Sequence, residues 1–233
     1  GEFIAADIVV SNSDATLTND LLSRPDQKLM PKITDSPSLA GFVLLLALDG
    51  NTEGIAHHNV WFPENYNAEF DAIFGKAPTP PIDPAIYACV PDDPQMRPSP
   101  DCESWFILVN APRHDSSGSN GFNWNAPGCK EQYAQQILDI LAARGTDIRA
   151  RVKWQEIRTP ADLERDTMAP GGSIYGASSN GPRAAFTRPA NQSNISGLYL
   201  VGGSSHPGGG LPLVGMGAEI TAELIGRAEK PNP

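Results

Sequence analysis

Gly197-Leu-Tyr-Leu-Val-Gly-Gly-Ser-Ser-His-Pro-Gly-Gly-Gly-Leu-Pro-Leu-Val214 decides how this chain reads. Leu198 to Val201 has the look of a short buried strand, a glycine-dense turn follows, and a helix begins near Pro212 and runs from Leu213 to Arg227. Six of the fourteen residues from 197 to 210 are glycine. Glycine loses more backbone freedom on folding than any other residue, so such a cluster means that main chain comes very close to something. A helix N-terminus at the end of the loop presents free N–H groups to a negatively charged or electron-rich ligand. A nucleotide or a flavin meets that description.

Outward from the turn, the remaining segments predict a mixed α+β and α/β chain. Ala5 to Val10 reads as a strand, followed by a short helix from Ala15 to Leu22 with Ser13 or Asp14 as its N-cap. A linker from Arg24 to Pro37 leads to an apolar strand, Gly41 to Leu48. Tyr66, Phe70, Ile73 and Phe74 fall on one face of a helix. Ile86 to Val90 and Trp105 to Ala111 read as neighbouring antiparallel strands, and His114 to Gly128 as loop. Tyr133, Ile137, Ile140 and Leu141 repeat the helical spacing, with Gly145 as a stop. Ile148, Ala150, Val152 and Trp154 alternate with charged or polar neighbours, which predicts a half-exposed strand. Thr159-Pro-Ala-Asp162 opens another short helix. The first ten residues begin within a β-pattern, which predicts that the chain is the C-terminal portion of a longer protein.

Composition excludes several classes. With 17 Lys and Arg against 27 Asp and Glu, the net charge of −10 leaves no basic face for nucleic acid. Cys89, Cys102 and Cys129 are odd in number and widely spaced, which fits reduced thiols and neither a disulfide framework nor a zinc motif. The longest apolar run, Leu39 to Leu48, is about half the ~20 residues that a membrane helix needs. No Gly-x-Ser-x-Gly or recognisable nucleophile–base grouping occurs, so a catalytic residue is not assigned.

The order of segments resembles the C-terminal half of phytoene-desaturase-like flavoproteins, the bacterial carotenoid desaturase family. The resemblance is carried most specifically by the His206-Pro-Gly-Gly-Gly-Leu-Pro212 stretch and its preceding strand. Gly172-Ser-Ile-Tyr-Gly176, Ala185-Phe-Thr-Arg-Pro189, His57-His-Asn-Val-Trp-Phe62 and Asp83-Pro-Ala-Ile-Tyr87 add to it. Gly215-Met-Gly-Ala218 departs from it, since many members have a Ser-Gly pair there. The dinucleotide motif G-x-G-x-x-G is not among these residues.

The resemblance implies a two-domain FAD-binding fold of glutathione-reductase type. Residues 1–37 and 159–233 would complete the flavin domain, and residues 38–158 would form an antiparallel-sheet substrate domain. It implies FAD-dependent desaturation of a phytoene-like polyene, with hydride passing to the flavin. Isomerase, oxygenase and retinol-saturase chemistry, or a fragment unable to bind FAD alone, stand as alternatives. It implies a long apolar substrate, a cytoplasmic location and attachment at a membrane surface. Cofactor contacts would come from Gly202, Gly203, Ser204, His206, Pro207, Gly208, Gly209, Gly210, Leu211 and Pro212. In that scheme Gly202 and Gly203 approach the pyrophosphate and Gly208 to Gly210 approach the ring.

Several residues have a second reading. His206 could polarise a flavin or line the substrate tunnel, or it could simply hold the turn. Trp61, Phe62, Tyr66, Phe70 and Phe74 could line an isoprenoid tunnel or pack in a core. Arg188 could meet an anion or join a salt bridge. His57 and His58 are adjacent on an expected strand, where successive side chains point to opposite faces, so no metal site is expected. Glu219 and Glu223 read as the solvated face of the last helix.

Overall fold

The computed structural model describes residues 2–22, 37–97, 99–178 and 188–227. Most of the expected linker at 24–37 and residues 185–187 of the 185–189 block lie outside the described residues. The chain separates into two compact units, Leu39–Asp166 and Gly1–Ser38 with Thr167–Pro233.

The unit at 39–166 is built on one antiparallel sheet. Its strands β2 (Ala40–Asp49), β3 (His58–Trp61), β4 (Ile86–Cys89), β5 (Cys102–Ala111) and β6 (Val152–Arg158) lie in the order β3-β4-β5-β2-β6. β2 and β5 pair along ten residues, from Ala40 opposite Ala111 to Asp49 opposite Cys102. Alternation of period two then divides the side chains. Phe42, Leu44, Leu46 and Leu48 share a buried face with Ile86, Ala88, Trp105, Ile107 and Val109. Helix α3 (Cys129–Ala143) adds Tyr133, Ala134, Ile137, Leu138 and Leu141 to the same core. Each large apolar side chain there contributes about 1.5–3 kcal/mol by leaving water.

The opposite face carries an apolar patch on β2 to β5, and Arg158 and Glu156 of β6 bound it opposite Val43 and Leu45. One row across the strands reads Val60, Tyr87, Leu108, Val43, and the next reads His58, Cys89, Phe106, Leu45. β6 adds Trp154 opposite Ala47. Helix α2 (Tyr66–Phe74) buries Ile73 but leaves Tyr66 and Phe74 exposed.

The alternation at residues 148–155 does not continue as one strand. Arg149–Arg151 forms a 3₁₀ turn, and β6 begins only at Val152. Arg149 folds back in that turn onto Asp139 and Asp147, at 2.7 and 2.6 Å. Thr159 and Asp162 cap α4 (Pro160–Thr167) reciprocally, the Thr159 hydroxyl and N–H donating to the Asp162 carboxylate at 2.8 and 2.9 Å.

The other unit pairs β1 (Val9–Ser11) in parallel with β7 (Leu198–Leu200). The strand is shorter than the Ala5 to Val10 pattern suggests, and Val9 and Val10 stay about half exposed because no described neighbour covers them. α1 (Ala15–Leu21) starts at Asp14, whose carboxylate accepts from Thr16 N–H at 2.8 Å. α5 (Leu211–Ile225) begins two residues before the expected Leu213. It buries Gly217 and Thr221, whereas Leu213, Met216 and Leu224 are exposed.

Glu103, a buried charge near the start of the central strand β5, ties together the segment after β2 and the approach to β6. Its carboxylate accepts from Thr52 N–H (2.8 Å), Thr52 Oγ1 (2.7 Å) and Trp105 Nε1 (3.0 Å), and faces Arg151 at 3.4 Å. Burial alone raises its pKa, but the hydrogen bonds and Arg151 together hold it below the usual glutamate value. A lowered folded-state pKa stabilises the fold above the unfolded value of about 4.3, and that stability is lost as pH falls through the folded value. Glu103→Gln should therefore cost about 1–3 kcal/mol at neutral pH. The difference from wild type should shrink below about pH 4. Denaturant titrations at pH 7 and at acid pH check this, and a pH-independent difference contradicts it.

Candidate functional site

The glycine-rich turn is shaped by contacts with its own unit. Ser204 Oγ accepts from Ala15 N–H at 3.0 Å, joining the turn to the start of α1. Ser205 donates its N–H and hydroxyl to the Gly202 carbonyl at 3.3 and 3.0 Å. Arg188 Nη1 donates to the carbonyls of Gly203 (2.7 Å) and Tyr175 (3.1 Å). Its guanidinium also lies alongside Gly208. Partial burial lowers the Arg188 pKa.

Asn191, which no sequence pattern singles out, holds these pieces in place. Asn191 is 3 % exposed, and its side-chain N–H₂ reaches three carbonyls from different parts of the unit. They are Leu200 of β7 (3.1 Å), His206 of the turn (2.9 Å) and Gly217 of α5 (3.5 Å). Thr221 Oγ1 adds a bond to the Leu200 carbonyl at 3.3 Å. Pattern reading had no means of finding Asn191, because it lies in an irregular segment and its partners are main-chain atoms.

His206 is pinned by its backbone. Its N–H donates to the Pro189 carbonyl at 2.8 Å, its carbonyl accepts from Asn191, and the imidazole is exposed. The peptide to Pro207 is cis. Main chain, and not the ring, secures the turn at this point.

Two glycines differ in what they face. A Cβ on Gly209 would lie 2.6 Å from a ring carbon of Tyr175, so the close approach there is to the protein itself. Gly210 has φ of +96°, and a Cβ there would meet none of the described residues within 4 Å. It is the N-cap of α5 and supplies no side-chain cap. Leu211, 89 % exposed, and Pro212 form the first turn of that helix. Gly210 thus stands, without a side chain, at the positive end of α5, equivalent to roughly half a charge.

In the other unit the aromatic set divides. Trp61 stacks on Trp105 at 6.4 Å and packs against the core. Phe62, Tyr66 and Phe70 form an edge-to-face chain with centroids 5.8 and 5.2 Å apart, of which Phe62 is well exposed. His57 precedes β3 in a bend, so strand alternation does not separate it from His58, and the two rings lie 4.5 Å apart. Glu219 and Glu223 are exposed on α5.

The Asn191 clamp makes a sharp prediction. Asn191→Asp keeps the shape but sets carboxylate oxygens against three carbonyl oxygens, whereas Asn191→Ala only leaves them unpaired. In the full-length protein, Asn191→Ala should cost about 1–3 kcal/mol and Asn191→Asp more at neutral pH. The Asp variant should recover part of its loss at acid pH, where the side chain can donate again. Thermal unfolding across pH measures both, and equal, pH-independent losses contradict the assignment.

No protein-family model matches the chain. Among curated proteins, it is similar to the 1-hydroxycarotenoid 3,4-desaturase of Flavobacterium sp. (strain P99-3), with 34 % identity over 223 residues. That match covers 94 % of this chain and 44 % of the relative. It is also similar to the 4,4'-diapolycopene oxygenase of Methylomonas sp, at 33 % identity over 97 % of this chain and 45 % of the relative. The hydroxyneurosporene desaturase of Rubrivivax gelatinosus matches at 32 % over 97 % of this chain and 42 % of the relative. The chain spans less than half the length of each of these relatives. The chain belongs to the phytoene-desaturase-like family of bacterial carotenoid desaturases.

Proposed function

We propose that the protein carrying this chain is an FAD-dependent oxidoreductase that desaturates a long apolar polyene of carotenoid type. The observation that carries the reading is the junction of Gly210 and α5, in a chain whose relatives are named for carotenoids. Residues 1–37 and 159–233 contribute one wall of a flavin domain of glutathione-reductase type, and residues 38–158 form the substrate domain. The exposed valines of β1 support this, because a two-stranded parallel pair needs further strands and a covering layer.

The residues present fit a flavin. Gly210 leaves room where any side chain would intrude, and the uncapped first turn of α5 directs its partial positive charge at that room. Flavin, when bound, supplies the two-electron acceptor for a C–C bond that becomes C=C. Gly210, Leu211 and Pro212 would lie against it. Gly202, Gly203, Ser204, His206, Pro207, Gly208 and Gly209 would carry the main chain past it, held by Asn191 and Arg188 from behind.

The substrate would lie on the sheet face that carries Val60, Leu108, Phe106 and Leu45, where apolar side chains exclude water from an extended polyene. Such a substrate resides in lipid, which supports attachment of a cytoplasmic protein to a membrane surface. Among the described residues no helix is long and apolar enough to cross a membrane. The exposed Phe62 and Phe74 are suited to an interfacial position. A second reading, oxygenation of the polyene, is favoured by the similarity to the diapolycopene oxygenase.

Two measurements test these readings. Leu211→Glu places a carboxylate at the N-terminus of α5, which favours the helix itself but repels an anionic ligand. The full-length variant should bind FAD about 5–10-fold more weakly, at about 1 kcal/mol, with unchanged thermal stability of the apoprotein. Leu211→Gln should bind as wild type, and equal FAD affinity in all three forms overturns the assignment of α5. Incubation of the full-length protein with 1-hydroxylated and diapo-type polyenes, followed by mass analysis, separates the chemistries. Loss of two hydrogens marks the desaturase, gain of oxygen marks the second reading, and no change in either class of polyene contradicts both.

A further inference from the structure

The edge of the sheet at β3 and β4 brings together three side chains that the flavin reading does not use. His58 lies directly opposite Cys89 in the antiparallel register. The flanking bond from Val90 N–H to the His57 carbonyl, 2.8 Å, makes this a non-hydrogen-bonded pair, the kind in which side chains approach most closely. His57 sits in the bend just before β3, with its ring 4.5 Å from that of His58. One donor atom from each of His57, His58 and Cys89 lies within 4.8 Å of the others.

The surroundings of the rings matter as much as the cluster. His57 Nδ1 is 3.1 Å from an Asp92 carboxylate oxygen, and His58 Nδ1 is 2.9 Å from the Tyr87 hydroxyl. A metal-bound imidazole almost always has its second nitrogen held by a carboxylate, carbonyl or other oxygen, which fixes ring orientation and tautomer. Both rings already have such a partner.

We propose that His57, His58 and Cys89 form a site for a thiophilic divalent transition-metal ion, zinc above all, with Asp92 and Tyr87 orienting the two imidazoles. Two imidazoles and a thiolate match the softness of zinc and do not suit magnesium or calcium, which take oxygen ligands. Donor atoms around a tetrahedral zinc stand roughly 3.3–3.6 Å apart, given bonds of about 2.0 Å to nitrogen and 2.3 Å to sulfur. Closing from within 4.8 Å is a matter of side-chain rotation at an edge where the His57 side chain is 39 % exposed. Binding releases the Cys89 proton to solvent and forms the metal–sulfur bond. Three protein ligands leave the fourth position to water. Cys89 itself lies on the sheet face that also carries its cross-strand neighbour Phe106.

Cobalt(II), a spectroscopic stand-in for zinc, tests the site in the full-length protein after chelation and dialysis. A thiolate-to-cobalt charge-transfer band should rise to saturation at one equivalent and disappear on adding zinc. Cys89→Ser should abolish the band, whereas Cys102→Ser and Cys129→Ser should leave it intact. Asp92→Asn alters an exposed side chain, so the fold is retained and affinity should fall about 10–100-fold. A folded wild-type protein with no thiolate band, or a band that survives Cys89→Ser, overturns the site. Unchanged affinity in Asp92→Asn overturns the orienting role of that carboxylate. Metal content is read independently of flavin content, so either assignment can fail without the other.

Discussion

The side chain of Asn191 is the contact on which the glycine-rich turn depends. Its amide bonds to carbonyls from a strand, a turn and a helix that no continuous secondary structure joins. Among the described residues of this unit the apolar cluster is small, Leu198 and Leu200 with Leu22 and Ile195 beside them. Hydrogen bonds to main chain therefore do the positioning that packing does elsewhere. Arg188 and Ser204 extend the same strategy, one bridging two carbonyls and the other receiving the first N–H of α1. The outcome is a turn whose glycines are largely explained by close contacts within the protein. Among the described residues, Gly210 is the glycine of the turn whose added Cβ would meet nothing within 4 Å.

The unit at 39–166 follows a different logic. One ten-residue pairing, β2 with β5, sets the register, and the buried face follows from it by alternation. The same alternation places an apolar patch on the second face, across β2 to β5. Its edge strand carries His58 into register with Cys89, and His57 joins them from the bend before β3, where alternation no longer applies.

Much of this was legible from residue order. The strands at 40–49, 86–89 and 102–111, the helix ending before Gly145 and the Thr159–Asp162 cap all follow from local patterns. Three features did not. Alternation at residues 148–151 is a strand signal that a 3₁₀ turn imitates, and the turn prevails where Arg149 can reach two carboxylates. The rule that neighbouring side chains diverge fails at His57 because that residue lies outside the strand. Asn191 stayed hidden because hydrogen bonds to carbonyls leave no periodic trace. Within the turn, the sequence indicated close approach but not to what, and at Gly209 a ring carbon of Tyr175 is one such neighbour.

In the proposed function the turn from 202 to 212 and the N-terminus of α5 form one wall of a flavin site. The most direct measurement is the visible absorption spectrum of the full-length protein, purified folded and supplied with FAD, with protein and flavin quantified separately. The account predicts the spectrum of oxidised protein-bound flavin at one equivalent per chain, bleached on reduction. A correctly folded full-length protein that retains no flavin at saturating FAD would contradict it.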